Sequence, residues 1–277
     1  MGKKILSSCF IVFFMLTVLF PLFYLISHSL KGEEYMLSIY CNEQYSLWQR
    51  IWIKPFYIDL YQYYEVFFRT PKFLSMFWNS MLLVFVIVLG QVGLSFLAGY
   101  GFSKLKFPGS NVLFLIYIII MLMPFQVTVV PNYIMLSQLK LLDTRGALIL
   151  PGIFNTFSVF FLKQFMEGID KDFIEEARMQ GAHEGQILLH IIIPMCKPII
   201  VAVVLFVFID YWSMVEQPII FIKTASKYPL SVFLNTINDQ KKDICFTTSV
   251  LYMFLPITFA FYAQGDLVEG LKITNLK

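Results

Sequence analysis

Long runs with few or no charged residues alternate with polar stretches along the whole chain. A helix needs about 20 apolar residues to cross the hydrocarbon core of a bilayer. Each such run must be helical, because a strand with open edges would leave backbone groups unpaired in lipid. The pattern therefore predicts six transmembrane helices, in the runs 5–30, 73–103, 107–139, 146–162, 198–222 and 244–265.

The first run follows Lys3 and Lys4 and has the general look of a signal peptide. A signal peptide, however, has an apolar core of only about 7–15 residues and a small-residue cleavage site. This run is longer and lacks such a site, so we interpret it as a retained helix. The chain then divides into 1–72, the first helix with an extracytoplasmic segment, and 73–277, the main transmembrane domain.

Composition supports a polytopic membrane protein. Hydrophobic residues make up 58% of the 277 residues and charged residues only 14%. Soluble domains average about 25% charged residues, so a soluble enzyme and a disordered tail are excluded. The net charge of +3 comes without a dense basic tract, which argues against a nucleic-acid partner. The four cysteines are scattered without CxxC spacing and are interpreted as packing residues.

The polar stretch 163–194 contains the pattern of a short amphipathic helix. Asp172 and Glu175 have the spacing of a capping box, and Gly181 can adopt the left-handed conformation that ends a helix. Phe173, Ala177 and Gly181 are spaced to share one face. Such a helix either docks onto a partner protein or lies solvated at the bilayer surface, and the pattern alone leaves both open.

A second helix is predicted over 184–193, leading to Pro194. Glu184 lies outside the first helix and is expected to be dispensable for docking. His183 and His190 are seven residues apart, whereas the zinc-binding HExxH motif places its histidines four apart. We therefore predict no metal site here.

The residues of this stretch then resemble a known signature. Glu175-Glu176-Ala177-x3-Gly181-x9-Ile191-x-Ile193-Pro194 is similar to the EAA motif, E-A-A-x3-G-x9-I-x-L-P, of permease subunits of binding-protein-dependent ABC importers. The resemblance continues outside this loop and looks like the maltose-type carbohydrate importer family. Further blocks resemble that family in order and spacing: Asn79-Ser80, the turn from Gly99 to Gly109, Met123-Pro124, Pro131, Leu141 to Thr144, Leu148 to Pro151, Phe161 to Phe165, Pro198 and Leu255-Pro256.

The resemblance implies an all-α membrane protein of the ABC importer permease type, with six transmembrane helices and a cytoplasmic coupling loop at about 164–194. It implies that Asp172, Glu175, Glu176, Ala177, Gly181, Ile191 and Pro194 belong to the surface that couples to the ATPase. The implied partners are a homologous second permease, two ATP-binding subunits and an external solute-binding protein, with lipid around the helices. Import of a sugar or a related solute follows from the same resemblance.

The chain is expected to perform no covalent chemistry and to need no cofactor. It contains no G-x-x-x-x-G-K-[ST] motif, so ATP hydrolysis would be supplied by another polypeptide. The sequence departs from the family pattern at Glu176, Gln180 and Ile193, and Trp212-Ser213 replaces a frequent Trp-Asn pair. The last departure puts carbohydrate as the substrate in doubt, because it falls where the translocation path would run.

Two acids in the fifth run support a rival interpretation. Asp210 and Glu216 flank Trp212 in an otherwise apolar stretch, and acids at bilayer depth usually face a bundle interior or a wet cavity. These three residues are candidates for the translocation path, and either acid would serve an ion-coupled secondary transporter. Glu216 near the outer interface and Asp210 in an interhelical hydrogen bond are the alternative roles.

Orientation and the remaining polar segment are less constrained by the pattern. The short loop 103–109 contains Lys104 and Lys106 and no acid, which favours the cytoplasm by the positive-inside rule. An even number of helices then places both termini in the cytoplasm of a multi-pass cell-membrane protein. Segment 31–72 is rich in aromatic residues and either lies along the outer interface or contacts a binding protein.

Overall fold

The computed structural model describes residues 2–32, 35–36, 58–69, 71–236 and 242–274. The described residues are helical with connecting turns, and they contain no β-strand. The aromatic residues of segment 31–72 that precede residue 58, Trp48 and Trp52 among them, lie outside the described residues. The chain divides into two compact units, one of residues 1–77 and 233–255 and one of residues 78–232 and 256–277.

We number the α-helices in chain order. The long ones are α1 (Gly2–Ser29), α2 (Pro71–Lys104) and α12 (Lys242–Thr274). Between them lie α3 (Ser110–Met121), α4 (Phe125–Gln138), α5 (Gly146–Ile153), α6 (Thr156–Glu167), α7 (Asp172–Met179), α8 (Glu184–Ile187), α9 (Lys197–Trp212), α10 (Glu216–Phe221) and α11 (Leu230–Thr236). Single helical turns at Tyr61–Tyr64, Glu65–Arg69, Leu188–Ile192, Ile193–Met195 and Ala225–Lys227 complete the described backbone.

Six membrane crossings are found if each bent helix pair counts as one. Four segments are long and apolar enough to span a bilayer: Leu6–Ser29, Pro71–Lys104, Gly146–Glu167 and Ile244–Leu267. The pair Ser110–Met121 with Phe125–Gln138 is bent by 102°, and the pair Glu184–Met195 with Lys197–Trp212 by 76°. The predicted number of helices is confirmed on that count, but two of the predicted spans are not straight.

Prolines explain where the bends fall. Run 107–139 breaks at Pro124, which has extended backbone angles (φ −64°, ψ 144°) and lacks the N–H that a continuing helix needs. The second bend lies at Cys196, between Pro194 and Pro198. The prediction of one helix over 198–222 is wrong, since α9 ends at Trp212 and Glu216 begins the separate helix α10.

The smaller unit joins α1 to the residues around position 60. The Ser29 hydroxyl lies 2.8 Å from the Tyr63 hydroxyl, and the Asp59 N–H donates to the Leu30 carbonyl at 2.8 Å. Tyr24 packs edge-on against Phe246 of α12, which belongs to the same unit. Most of α1 before residue 21 is exposed apolar surface, as expected for a helix that faces lipid.

The larger unit is built on α2. Gly90 of α2 lets Ile153 of α5 approach so closely that a Cβ at this position would lie 2.7 Å from the Ile153 side chain. Farther along α2, Gln91 donates a buried hydrogen bond of 2.7 Å to Ser158 of α6. A cluster of buried side chains closes one end of this unit: Leu83, Leu136, Ala147, Leu148, Phe221 and Ile222.

Candidate functional site

The predicted coupling loop folds as a helix, a tight turn and a second helix. Helix α7 starts at Asp172, as predicted, with Asp172 and Glu175 in its first turn, where the helix dipole favours acids. The predicted capping box is wrong. Lys171 precedes the helix with helical backbone angles (φ −71°, ψ −23°), so the chain enters α7 without the extended residue that a capping box requires.

Gly181 ends α7 as the sequence predicted. Its φ is +86°, in the left-handed region that side chains with a Cβ disfavour. The Gly181 N–H donates to the Arg178 carbonyl and the Ala182 N–H donates to the Ala177 carbonyl, both at 3.0 Å. These two bonds form a Schellman motif, which satisfies carbonyls that would otherwise be left open at the helix end.

A capping box is instead found at the start of the next helix, α8. The His183 ring accepts from the Gln186 N–H at 3.2 Å, and the Gln186 side chain accepts from the His183 N–H at 3.1 Å. His183 is thereby a structural cap of α8. The predicted helix over 184–193 is present, although it is divided into α8, a wider turn at Leu188–Ile192 and a last turn at Ile193–Met195.

The faces of α7 differ from the predicted ones. Ile174 is the buried residue of the helix, while Phe173 is 51% exposed and Met179 is 90% exposed. Glu175 and Glu176 are exposed, Ala177 is half-buried, Ile191 is half-buried and Pro194 is exposed. The face that would bind a partner therefore contains two large apolar side chains and two acids, and Ile174 anchors the opposite face.

Glu184 links the two halves of the loop to α2. Its carboxylate accepts from the Tyr100 hydroxyl at 2.6 Å and forms an ion pair with Arg178 of α7 at 2.6 Å. The Lys104 ammonium, at the end of α2, donates to the Ile169 carbonyl at 2.6 Å. The Glu184 side chain thus ties α7 to a buried tyrosine. That Glu184 is dispensable for docking stays a prediction. We refer to Tyr100, Arg178 and Glu184 as the loop bracket.

A second polar cluster lies near the other end of α2. The Asp143 carboxylate accepts from the Thr224 hydroxyl at 2.6 Å and from the N–H groups of Thr224 and Lys223 at 2.9 and 3.0 Å. The Lys227 ammonium donates to the Asp143 carbonyl and lies 3.3 Å from its carboxylate. We refer to Asp143 with the segment 223–227 as the distal clamp. The sequence analysis assigned no role to these residues.

Helix α2 separates the distal clamp from the loop bracket. Asn79 of α2 donates to the Ser226 carbonyl at 2.7 Å and accepts from Arg145 at 2.5 Å, so it belongs beside the clamp. Tyr100 of the bracket lies 21 residues later, which corresponds to about 32 Å of helix. This distance matches the roughly 30 Å hydrocarbon thickness, so the two clusters lie on opposite sides of a bilayer that α2 spans.

The hydrogen bonds within the distal clamp change the pKa of Asp143 and make the stability of the fold depend on pH. The bonds from Thr224, and after them those from Lys223 and Lys227, hold the pKa of Asp143 well below its usual range. A lowered pKa in the folded state stabilises the protein above the unfolded value of about 3.9, and this stabilisation is lost as the pH falls below that value.

We therefore expect Asp143→Asn to lower the thermal unfolding temperature of the purified protein at pH 7. The difference from the wild type should be smaller at about pH 3 than at pH 7, because the unfolded wild-type carboxylate then binds a proton while the folded one stays ionised. Asp170→Asn, at an exposed acid of the coupling loop, is the matched control and should leave the unfolding temperature unchanged. An equal difference at both pH values would contradict a charge-dependent clamp.

The three predicted path residues are not brought together. Trp212 is 1% exposed and stacks on Phe208, so it packs inside the unit. Asp210 is exposed on α9, and Glu216 is exposed on α10, beyond the break in the helix. The two acids therefore lie on two separate helices and not on one.

Comparison with known proteins identifies the class. Residues 91–269 match the family described as the inner membrane component of binding-protein-dependent transport systems. The chain belongs to this family. It is a multi-pass cell-membrane permease subunit of an ABC importer and a transport subunit, not an enzyme, which confirms the family that the EAA-like motif predicted.

Individual members of the permease family are similar over nearly the whole chain. The arabinooligosaccharides permease protein AraQ of Bacillus subtilis is 27% identical over 278 residues, covering 99% of this chain and 96% of AraQ. The polygalacturonan/rhamnogalacturonan permease protein YtcP of the same organism is 28% identical over 234 residues, covering 82% of this chain and 75% of YtcP.

A solved permease has the same fold. A chain of a bacterial ABC transporter involved in the import of the acidic polysaccharide alginate superposes with a TM-score of 0.79 at 21% identity, covering 95% of each chain. The predicted all-α permease fold is confirmed by this likeness.

Proposed function

We propose that this permease imports an oligosaccharide or a related sugar-derived solute, delivered by an external binding protein and driven by two ATPase subunits. The permeases AraQ and YtcP, similar over most of this chain, carry arabinooligosaccharides and polygalacturonan or rhamnogalacturonan by their names. A second, homologous permease would complete the translocation path, with domain 73–277 forming this chain's share and domain 1–72 supplying the first helix.

The coupling role rests on one observation, the exposed face of α7 held on an internally bonded loop. Phe173 and Met179 expose apolar surface that α7 does not use for its own packing, and Glu175 and Glu176 lie beside them. We infer that these two side chains, on a helix anchored by the buried Ile174, form part of a protein-binding surface. We assign this face, with Asp172, Ala177, Gly181, Ile191 and Pro194 supporting it, to the contact with an ATPase subunit.

This assignment also sets the orientation. The coupling loop contacts an ATPase, so it lies in the cytoplasm, together with Lys104 and Lys106 at the end of α2. The distal clamp then faces the external side. With six crossings, both termini are cytoplasmic. The excess of lysines over acids in 103–109 agrees with the positive-inside rule.

Whether Asp210 lines the translocation path can be tested by substitution. Its carboxylate is exposed on α9, within a helix otherwise composed largely of apolar residues. If it lines the path, Asp210→Asn should lower substrate uptake severalfold while the permease still co-purifies with its ATPase. Unchanged uptake would remove Asp210 from the path. Wild-type uptake that requires an ion gradient and not ATP, and that Asp210→Asn abolishes, would favour the rival ion-coupled transporter that uses Asp210 or Glu216.

The substrate class is tested through the binding protein. The binding protein encoded with this permease would be purified and screened by calorimetry against neutral and acidic oligosaccharides. Submillimolar binding of one class supports the proposal. Binding of amino acids or peptides in place of sugars would contradict it without affecting the assignment of the ATPase-contacting loop.

A further inference from the structure

A cavity of about 260 Å³ lies between the end of α2 and the coupling helix α7. Among the described residues that line it, four are cationic and one is acidic: Lys104, Lys106, Lys171, Arg178 and Glu175. Ser103, Leu105 and the buried Ile174 complete the lining. Cationic side chains therefore outnumber acidic ones in the lining, directly beside the helix that we assign to the ATPase contact.

Two of the four cations are already paired. Lys104 donates to the Ile169 carbonyl, and Arg178 binds Glu184. Within the described part of the chain, the ammonium groups of Lys106 and Lys171 have neither an ion pair nor a hydrogen bond. Both lysines are exposed to solvent, and two cations without a protein partner beside one small cavity favour an anionic ligand, since both attract the same group.

The size and surroundings of the cavity indicate which anion. Its volume corresponds to about eight water molecules and lies below the roughly 300–1,000 Å³ of drug-sized ligand pockets. A cavity of this size favours a small anionic group, such as a single phosphodiester, over an oligosaccharide. Leu105 and Lys106 are shared with a second, open groove of about 610 Å³ that runs past Phe102, Phe107 and Val112.

This groove gives the site an amphipathic form. Phe107 is 39% exposed and Val112 is 63% exposed, so the groove presents apolar side chains beside the cationic cavity, together with the polar Ser110 and Asn111. Both features begin where the membrane helix α2 ends at Lys104. A lipid places its acyl chains in hydrocarbon and its phosphate at the headgroup level, which matches this order of apolar groove and basic cavity. Basic pockets at the cytoplasmic ends of membrane helices bind anionic headgroups.

We propose that the cavity binds the headgroup of an anionic phospholipid of the cytoplasmic leaflet, with Lys106 and Lys171 contacting the phosphate and the groove at Phe102 and Phe107 receiving an acyl chain. The proposal rests on the proposed orientation of the coupling loop. Because Lys171 directly precedes α7, a bound headgroup would connect the lipid composition of the membrane to the position of the coupling helix.

The test measures lipid retention by native mass spectrometry of the permease–ATPase complex, purified in detergent and incubated with phosphatidylglycerol or phosphatidylcholine. We expect the wild type to retain phosphatidylglycerol preferentially. Each of Lys106→Gln and Lys171→Gln should weaken retention about fivefold, and the double variant about 25-fold. Lys106→Arg with Lys171→Arg should restore retention. Lys72→Gln, at the opposite end of the same helix, is the matched control and should leave it unchanged.

Three kinds of result would overturn the proposal. Two results would indicate only nonspecific lipid binding. One is equal retention of phosphatidylglycerol by the wild type and the double Gln variant, and the other is retention of phosphatidylcholine by the wild type as strong as that of phosphatidylglycerol. Displacement of the lipid by millimolar inorganic phosphate would identify a free anion as the ligand. Loss of the ATPase from the double Gln variant, with lipid retention unchanged, would assign the cavity to an acidic side chain of the ATPase. Failure of the wild type to co-purify with an ATPase would instead count against the proposed function.

Discussion

Gly181→Val is expected to abolish transport and to release most of the bound ATPase, while Gly181→Asn keeps part of both. Gly181 has φ of +86°, and a β-branched residue is a clear outlier there, whereas Asn visits this region. A residue bearing a Cβ pays about 1–2 kcal/mol for the left-handed conformation. That cost shifts the end of α7 away from its Schellman geometry and displaces the exposed face that includes Met179.

The open surroundings of Gly181 exclude crowding within the chain as the cause of the expected loss. No atom of the described residues lies within 4 Å of a Cβ built at this position, so a side chain meets no internal clash. If Asn is as harmful as Val, a close approach of the ATPase explains the loss. If Asn is tolerated and Val is not, the backbone conformation explains it. Co-purification of the ATPase with the tagged permease is the measurement.

Gly109 supplies the matched control. It has nearly the same φ, +84°, and equally open surroundings within the described residues, but it lies in the turn between α2 and α3. Gly109→Val imposes the same kind of strain away from α7. We expect it to retain the ATPase. Equal loss of the ATPase in both Val variants would indicate general destabilisation, and full retention in Gly181→Val would end the docking proposal.

Glu184→Ala is expected to lower transport by about tenfold while ATP hydrolysis continues. Its carboxylate joins Arg178 of α7 to the Tyr100 hydroxyl of α2, and Tyr100 is only 5% exposed. Removing the acceptor leaves a largely buried hydroxyl without its partner, at a cost of about 1–3 kcal/mol. The exposed face of α7 remains, so the ATPase still binds, but movement of the helix is no longer passed on to α2.

The bracket can be dissected with conservative variants. Glu184→Gln retains an acceptor for Tyr100 and loses the ion pair, and Tyr100→Phe removes only the other bond, so both should be milder than Glu184→Ala. Glu167→Ala is the control, because Glu167 pairs with Lys163 one turn away on the same helix. Such an i,i+4 pair contributes only about 0.3–0.5 kcal/mol. Normal coupling in Glu184→Ala would contradict the bracket.

The sequence predicted the class and the helix end but not the connections between segments. Gly181 and the start at Asp172 were predictable because helix termination and first-turn acids are local effects. The bend at Pro124 was predictable for the same reason. The bracket was not, since nothing local marks Tyr100 as the partner of Glu184, which lies 84 residues away.

Other differences arise from tertiary packing. The helical wheel suggested a face through Phe173 and Ala177, but Ile174 is the side chain that the rest of the unit buries. Trp212 was a path candidate because of its acidic neighbours, yet it fills a core position against Phe208. Asp143 lies in a turn with φ of +59°, and its role depends on a segment 80 residues later.

The most direct test of the account is uptake into proteoliposomes that contain this permease with its second permease and ATPase subunits, with the binding protein outside. The account predicts uptake only when ATP is enclosed and the binding protein is present, with ionophores having no effect. It also predicts that Gly181→Val removes both uptake and ATPase association. Uptake that proceeds without ATP and stops when an ion gradient is collapsed would contradict it.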